Sequence, residues 1–325
     1  MEKIAFIFKN RFVYWKPMIL FMAVLSAICA FSALAVRKKE DCRQAVFAIP
    51  GAILLSLLFA RLLHWYCRPH GYESLFTALT DYSRGGVAVP GIFIGCILSA
   101  VLLRQLKICR NLPGLLDQMA AAGALGIGTG RVSALVTAEN RGMLLPRWVP
   151  FPFASRIPSP ATGETEVRLA VFMIQAMIAW ALFVGLMIFY FRQEKRKDGD
   201  VFLLFMLLYC GSQFILDSTR YDALTLRSNG FISLTQILSG LVLAGVLAVC
   251  TIRLLKSGGR KFCFLSIPAL SYLAMAGYME YYVQRHGRNA PQAYTVMTLS
   301  ILFAEFLILE IRREAERKQK PEDIF

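Results

Sequence analysis

The ionisable residues at the edges of long apolar stretches are the ones that could do chemistry in this sequence. Arg131 follows Gly130 at the end of one such stretch, with Glu139 and then Gly142 beyond it. A guanidinium there can offer a fork of N–H donors to a phosphate, and it can equally snorkel toward lipid headgroups. Arg61 and His64 lie three residues apart on one surface of another apolar segment. Tyr209, Gln213, Asp217 and Arg220 recur at spacings of four, four and three, which on a helix forms one polar stripe. An Asp217–Arg220 pair satisfying itself is the plainer reading of that stripe. Gln175 is a weaker signal, because one buried amide can simply bond a neighbouring helix. A charge inside a membrane span costs roughly 2.5–3.5 kcal/mol on insertion scales, so each needs a partner, a water-filled cavity or a task. Arg61, Arg131 and Arg220 come from three segments and fall at similar depth, with the carboxylates of Glu139 and Asp217 close in sequence. Together they suggest a site for an anionic lipid headgroup.

The elements that must position these residues are membrane helices. The chain has 325 residues, 57% of them hydrophobic and 18% charged, with a mean hydropathy of +0.53, too apolar for a water-soluble domain. Segments long enough to cross a hydrocarbon core of about 30 Å lie near 17–36, 44–66, 86–103, 113–136, 169–191, 200–216, 232–252, 262–281 and 291–311, the third and sixth being the shortest. The expectation is an all-α, polytopic membrane helical bundle of nine spans. Loops 37–43, 104–112, 192–199, 253–261 and 312–325 hold 20 Lys plus Arg in 47 residues, against 15 in 97 for the loops of the other side. The positive-inside rule then puts the amino terminus outside and the carboxyl terminus in the cytoplasm. The basic start (Lys3, Lys9, Arg11, Lys16) argues the other way.

The net charge of +15 is thus largely an orientation signal, and no nucleic-acid partner is needed to explain it. Eight cysteines are scattered without a CxxC pair and with three histidines to join them, so neither a metal centre nor a disulfide framework is expected, and no cofactor. The first apolar stretch ends in Arg37-Lys38-Lys39-Glu40 without a small-residue cleavage pattern and reads as a retained span. The long outer loop 137–168 contains Pro146, Pro150, Pro152, Pro158 and Pro160, which predicts an irregular excursion, a candidate gating arm. Gly123, Gly126 and Gly130 favour close approach of a helix or of a ligand. The tail from Arg312 reads as a solvated basic end.

These residues resemble a known family, the bacterial prolipoprotein diacylglyceryl transferases. Asp117-Gln-Met-Ala120, Leu125-Gly126, Gly130-Arg131-Val-Ser133-Ala134 and Glu139-Asn-Arg-Gly142 are similar, in order and spacing, to the family's signature DxxAPxxxLGxxxGRxGNFxNxExxG. A second block, Tyr209, Gln213-Phe214, Asp217, Arg220 and Asp222, resembles YxxxRFxxExxRxD and is followed by Gly230, Gln236 and Ser239, as in GxxxxxQxxS. Gly85-Gly86 through Pro90-Gly91 and Gly95 resembles GGMSFHGGLIG, and Ala60-Arg61 a GR pair. The match covers about residues 12–255, or seven spans. The resemblance therefore implies a transferase-like core over 1–255, two additional spans over 256–311, and a basic cytoplasmic tail over 312–325.

The activity it implies is transfer of the diacylglyceryl group of phosphatidylglycerol to the lipobox cysteine in the signal peptide of a prolipoprotein, at the outer face of the bacterial cytoplasmic membrane. In that reading Arg131, Glu139 and Arg220 are catalytic, while Arg61, Gly130, Gly142, Gln175, Asp217 and Gln236 bind substrate. This sequence departs from the family pattern at Pro90, where the family has a functional histidine, at Ser133 and Ala134, where it has glycine and asparagine, and at Gln175, which aligns with a glutamate. The base is left open among His64, Glu139 and Asp217. The alternative is a catalytically silent member that binds anionic lipid or lipoprotein signal segments.

Overall fold

A computed structural model of the chain describes residues 4–8, 11–38, 42–81, 86–158, 163–192, 197–227, 229–287 and 290–319. Lys3, Lys9, Gly85, parts of the loops 37–43 and 192–199, and the tail beyond residue 319 lie outside the described residues. By its internal contacts the chain forms two compact units, Met1–Phe205 with Thr219–Arg227, and Met206–Ser218 with Ser228–Phe325.

The first unit opens with an antiparallel hairpin, β1 (Ile4–Phe8) and β2 (Arg11–Tyr14), that runs straight into α1 (Trp15–Arg37). Then come α2 (Cys42–Cys67), the short α3 (Leu75–Thr80), α4 (Val89–Gln105) and α5 (Leu112–Arg131). A second hairpin, β3 (Ala154–Pro158) with β4 (Thr165–Leu169), precedes α6 (Val171–Arg192) and the start of α7 (Asp200–Ser218). The second unit holds the rest of α7 with α8 (Leu234–Lys256), α9 (Ser266–His286) and α10 (Ala290–Gln319).

Eight of these helices are long and apolar enough to cross a membrane, so the protein is an integral membrane helical bundle. The third expected span appears as α4, 17 residues long and so about 26 Å at 1.5 Å per residue. It runs antiparallel along α2 with backbones nearly touching: a Cβ at Gly91 would lie 2.5 Å from the Ala60 Cα, and one at Gly95 2.3 Å from the Ser56 N. Only glycine permits that approach, the small-residue packing by which helices associate where lipid tails remove the hydrophobic drive. Between α5 and α1 the spacing is looser, with Gly126 against Ala27 and Gly130 against Ala23.

One expectation is corrected. The proline-rich loop 137–168 is partly regular: Pro158 ends β3, where its missing N–H disturbs no internal rung of the ladder. At the basic end α10 continues to Gln319 with Arg312–Glu316, Arg313–Glu310 and Arg317–Glu314 pairs along it.

Within the first unit the loops sort to two ends, as the charge alternation requires. At one end Lys38 lies 3.7 Å from Asp198, which also accepts from the Asn111 amide at 2.6 Å. Asp117 of α5, fully buried, accepts the backbone N–H groups of Gly199 and Phe202 at 2.9 and 2.8 Å. A carboxylate there satisfies donors that the first turn of α7 leaves without helical partners. At the other end Lys16 donates to Glu139 at 2.7 Å. The basic start that seemed to contradict the topology thus has, in Lys16, a carboxylate to meet on its own side.

Candidate active site

The site grows from the end of α5. Arg131 is its last residue and is buried. A 3-10 turn over Val132–Val136 follows, and the chain then doubles back through Asn140, whose φ of 55° is a left-handed conformation that asparagine tolerates. Gly142 then donates its N–H to the Leu169 carbonyl at 2.8 Å, and a Cβ on it would press on Val171 and Leu169 at 2.8 and 2.9 Å. The loop from 131 to 142 is therefore seated on the junction of β4 and α6.

Arg141 holds this loop together. Only 3% exposed, it donates to the carbonyls of Ala134, Thr137 and Glu139 at 2.8, 3.0 and 3.0 Å. Its guanidinium carbon stands 4.1 Å from the Phe172 ring centroid, an arrangement that adds cation–π attraction to the hydrogen bonds. Burial lowers its pKa, opposed by Tyr221, Asp222 and Glu139 nearby. Ala134 is packed in an apolar cluster with Ala170 and Phe172, which accounts for an apolar residue at that position.

The segment after α7 is bound to this loop by three hydrogen bonds. Asp222 accepts the Asn140 N–H at 2.8 Å and pairs with Arg220 at 3.1 Å. The Tyr221 N–H donates to the Arg141 carbonyl at 3.2 Å, and its hydroxyl to the Ala138 carbonyl at 2.9 Å. Arg168 covers the Tyr221 ring at 4.7 Å. Burial raises the phenol pKa, with Asp222 and Glu139 adding to the rise and Arg168 and Arg141 opposing it. Arg131, Glu139, Gly142 and Arg220 thus belong to one bonded assembly of the loop and the turn that follows α7. Glu139 is 56% exposed on its side chain and paired with Lys16.

The other expected residues have more local employment. Arg61 of α2, 1% exposed, donates to the Gly86 carbonyl at 2.8 Å, to the Asp81 carbonyl, and to the Tyr72 hydroxyl at 3.3 Å. It fastens the loop between α2 and α4. Gly130 serves helix packing on α1, and Gln175 is fully buried on α6. The four-residue polar stripe is corrected: α7 ends at Ser218, so Arg220 lies past the helix and not on its face. In the second unit Ser233 donates to Asp217 and forms a capping box with Gln236, whose side-chain N–H₂ also donates to the Phe214 carbonyl at 3.3 Å. A capping box satisfies two orphan donors of a helix start, so Gln236 and Asp217 join the ends of α7 and α8.

The sequence reading missed Arg141 and Lys16, and undervalued Asp222. Arg141 could have been flagged as a second arginine within eleven residues; nothing in its spacing shows that it turns inward onto carbonyls. Among the described residues no group of three His, Cys, Asp or Glu side chains could hold a metal ion.

Comparison with known proteins fits this geometry. The family model described as prolipoprotein diacylglyceryl transferase matches residues 3–251. The chain is 21% identical over 249 residues to the phosphatidylglycerol–prolipoprotein diacylglyceryl transferase of Clostridioides difficile (strain 630), covering 74% of this chain and 94% of that one. It is 22% identical over 252 residues to the protein of that name from Finegoldia magna, with 75% and 94% covered. The Listeria monocytogenes serotype 4b protein of the same name gives 22% over 248 residues, with 75% and 87% covered. The match spans well over half of the sequence and includes both the 131–142 loop and the 220–222 segment bonded to it: the chain belongs to the prolipoprotein diacylglyceryl transferase family.

Proposed function

We propose that the protein transfers the diacylglyceryl group of phosphatidylglycerol to the lipobox cysteine thiol of a prolipoprotein, at the outer face of the bacterial cytoplasmic membrane. The observation that carries this reading is the bonded assembly of residues 131–142 with 220–222, which holds two arginines at one end of a membrane bundle. The reaction breaks the bond between the diacylglyceryl carbon and a phosphate oxygen, and the electron pair leaves with glycerol phosphate. Arg131 and Arg220 stabilise that developing charge through charge-assisted bonds in a site shielded from water. Glu139, neutralised by Lys16, holds the loop at its exposed tip. Arg61, Gly130, Gly142 and Gln175 support the substrate site by fixing the segments of the first unit around it, and Asp217 and Gln236, proposed to bind substrate as well, fix the junction of α7 and α8 in the second. The seven spans up to residue 255 form the transferase core, residues 256–311 are an addition to it, and the tail from 312 is cytoplasmic.

The test is incubation of the purified protein with phosphatidylglycerol and a lipobox peptide, read by mass spectrometry. A diacylglyceryl adduct on the cysteine is the expected result. Arg131→Ala and Arg220→Ala should each weaken retention of phosphatidylglycerol, since an arginine–phosphate bond is lost on truncation. A folded protein that retains the lipid but forms no adduct at high concentration would be a silent lipid-binding member instead.

A further inference from the structure

The excursion between α5 and α6 turns its apolar residues to two sides. Ala154 and Ile157 of β3 and Val167 of β4 are buried. Leu144, Trp148, Phe151 and Phe153 are exposed, and Trp148, at 81%, is the most exposed large apolar side chain among the described residues. Single exposed apolar residues are ordinary, but four within ten residues, one of them a tryptophan, concentrate apolar area that is costly to leave in water. We propose that this projection is an interfacial anchor, which seats Trp148 and its neighbours in the headgroup layer of the bilayer beside α5 and α6, with Arg147 and Arg156 on lipid phosphates. The proposal goes beyond the transferase reading and does not depend on it.

The projection is braced from within. The Leu145 N–H donates to the Val167 carbonyl at 2.8 Å and the Leu169 N–H to the Met143 carbonyl at 2.9 Å, so residues 142–145 pair along one edge of β4 while β3 pairs along the other. Between these two the chain turns twice: the Val149 N–H donates to the Pro146 carbonyl at 3.2 Å and the Phe153 N–H to the Pro150 carbonyl at 3.1 Å. Trp148 lies inside the first turn and Phe151 inside the second. Both rings are therefore carried by hydrogen-bonded backbone with its ends fixed on β4, a support that can hold them in a second phase without itself rearranging.

Three observations name the bilayer as the occupant. The first is the tether. The excursion leaves α5 after Arg131 and rejoins α6 at Val171, and both helices are long and apolar enough to cross a membrane. Its two ends are thus fixed at one membrane surface, and the apolar phase nearest the tip is the one the spans already occupy. The second is side-chain chemistry. Tryptophan, with an apolar body and an N–H, settles at headgroup level, and Arg147 and Arg156, both exposed, can lay their stems on apolar surface and give their guanidinium donors to phosphates. The third is shape. An extended peptide docks by main-chain bonds to a strand edge, and a tip built on Pro146, Pro150 and Pro152 withholds three of the N–H donors such docking needs.

Apolar exposure recurs at the same end of the unit: the β1–β2 hairpin, tied to the 131–142 loop by Lys16 and Glu139, also exposes Ile7 and Phe12. The anchor is continuous with that loop, because residues 142–145 follow it directly. Seating the tip fixes the depth of Arg131 and Glu139 relative to the lipid phosphates.

The experiment places the full chain in nanodiscs of phosphatidylethanolamine and phosphatidylglycerol and reads tryptophan emission. The chain has four tryptophans, so Trp148 is read as the difference between the wild type and Trp148→Phe. That difference should be blue-shifted, quenched by lipids brominated in the upper acyl chain, and spared by acrylamide in the aqueous phase. Emission quenched by acrylamide and untouched by brominated lipid overturns the anchor. Shielding from acrylamide that appears only after a lipobox peptide is added assigns the patch to a peptide, and shielding that appears only in discs holding two copies assigns it to a second copy of this chain; either result also overturns the anchor. Should Trp148→Phe fail to fold, Phe151→Trp in the otherwise unchanged chain carries the test, its added emission being quenched by brominated lipid if the second turn is seated and by acrylamide if it is not. Arg147→Gln with Arg156→Gln should raise acrylamide quenching of Trp148, and no change would remove the phosphate contacts. None of these measurements needs turnover, so failure of the anchor and failure of the transferase reading are told apart by the peptide assay.

Discussion

A guanidinium spread over backbone carbonyls and one that meets a phosphate do opposite jobs, and under the proposed function this protein keeps both in one loop. Arg141 is held by the carbonyls of Ala134, Thr137 and Glu139 and by the face of Phe172, so its role is to give Arg131 and Glu139 a fixed frame. Hydrogen bonds to charged groups contribute about 1.5–3 kcal/mol each, so Arg141→Met should destabilise by at least about 1.5 kcal/mol and lower adduct formation about tenfold or more. Arg141→Lys, with a point charge in place of the fork, should recover only part of either. Melting in detergent and the peptide assay check both, and an unaltered melting temperature for Arg141→Met would refute the frame role. Tyr221 gives a pH signature. Its phenol pKa is raised above 10.0 mainly by burial, so the folded state binds the proton more tightly than the unfolded one. The stability this supplies is complete below the unfolded pKa and is lost as pH rises through the folded one. Tyr221→Phe should melt lower at neutral pH, by about 1 kcal/mol for the lost bond to Ala138, and the two melting curves should converge in alkali.

At the scale of elements, glycine placement decides which helices can touch. An added Cβ at Gly95 meets α2 backbone, whereas at Gly123 it meets nothing within 4 Å. Gly95→Ala should therefore cost about 1–3 kcal/mol, the usual range for overpacking, and Gly123→Ala almost nothing; equal melting temperatures would mean that α4 stands further from α2. The helices themselves were legible in the sequence. The segments 17–36 and 44–66 became Trp15–Arg37 and Cys42–Cys67, because an apolar run as long as the hydrocarbon core has one stable conformation in lipid. The hairpins were not legible. Residues 4–14 are apolar enough to read as the approach to a span, and the prolines of 146–160 outweighed the alternation in 165–169. Arg220 shows the limit of periodicity: its spacing from Asp217 fits a helix face, yet the helix has ended two residues earlier. Candidate positions were visible from residue type, but whether an arginine points at a ligand or at a carbonyl depends on the path of a loop, and no spacing rule encodes that.

For the whole molecule, the charge asymmetry of the loops predicts a carboxyl terminus in the cytoplasm. A reporter fused after Phe325 should be active only on the cytoplasmic side, and activity outside would invert every assignment of inner and outer face. The bond from Asn140 to Asp222 spans 82 positions of the chain, which has a consequence for biogenesis. A ribosome delivers the protein from its amino terminus, so Arg131 and Glu139 are in place long before the residues that lock them exist. Until α7 has been inserted and Asp222 has followed it, the nascent chain carries the charges of the proposed headgroup site without its shape. Under the proposed function competence therefore arrives late and at once, and a translation product stalled before Asp222 would be inert, unable to withdraw lipid from the bilayer in which it is still being built.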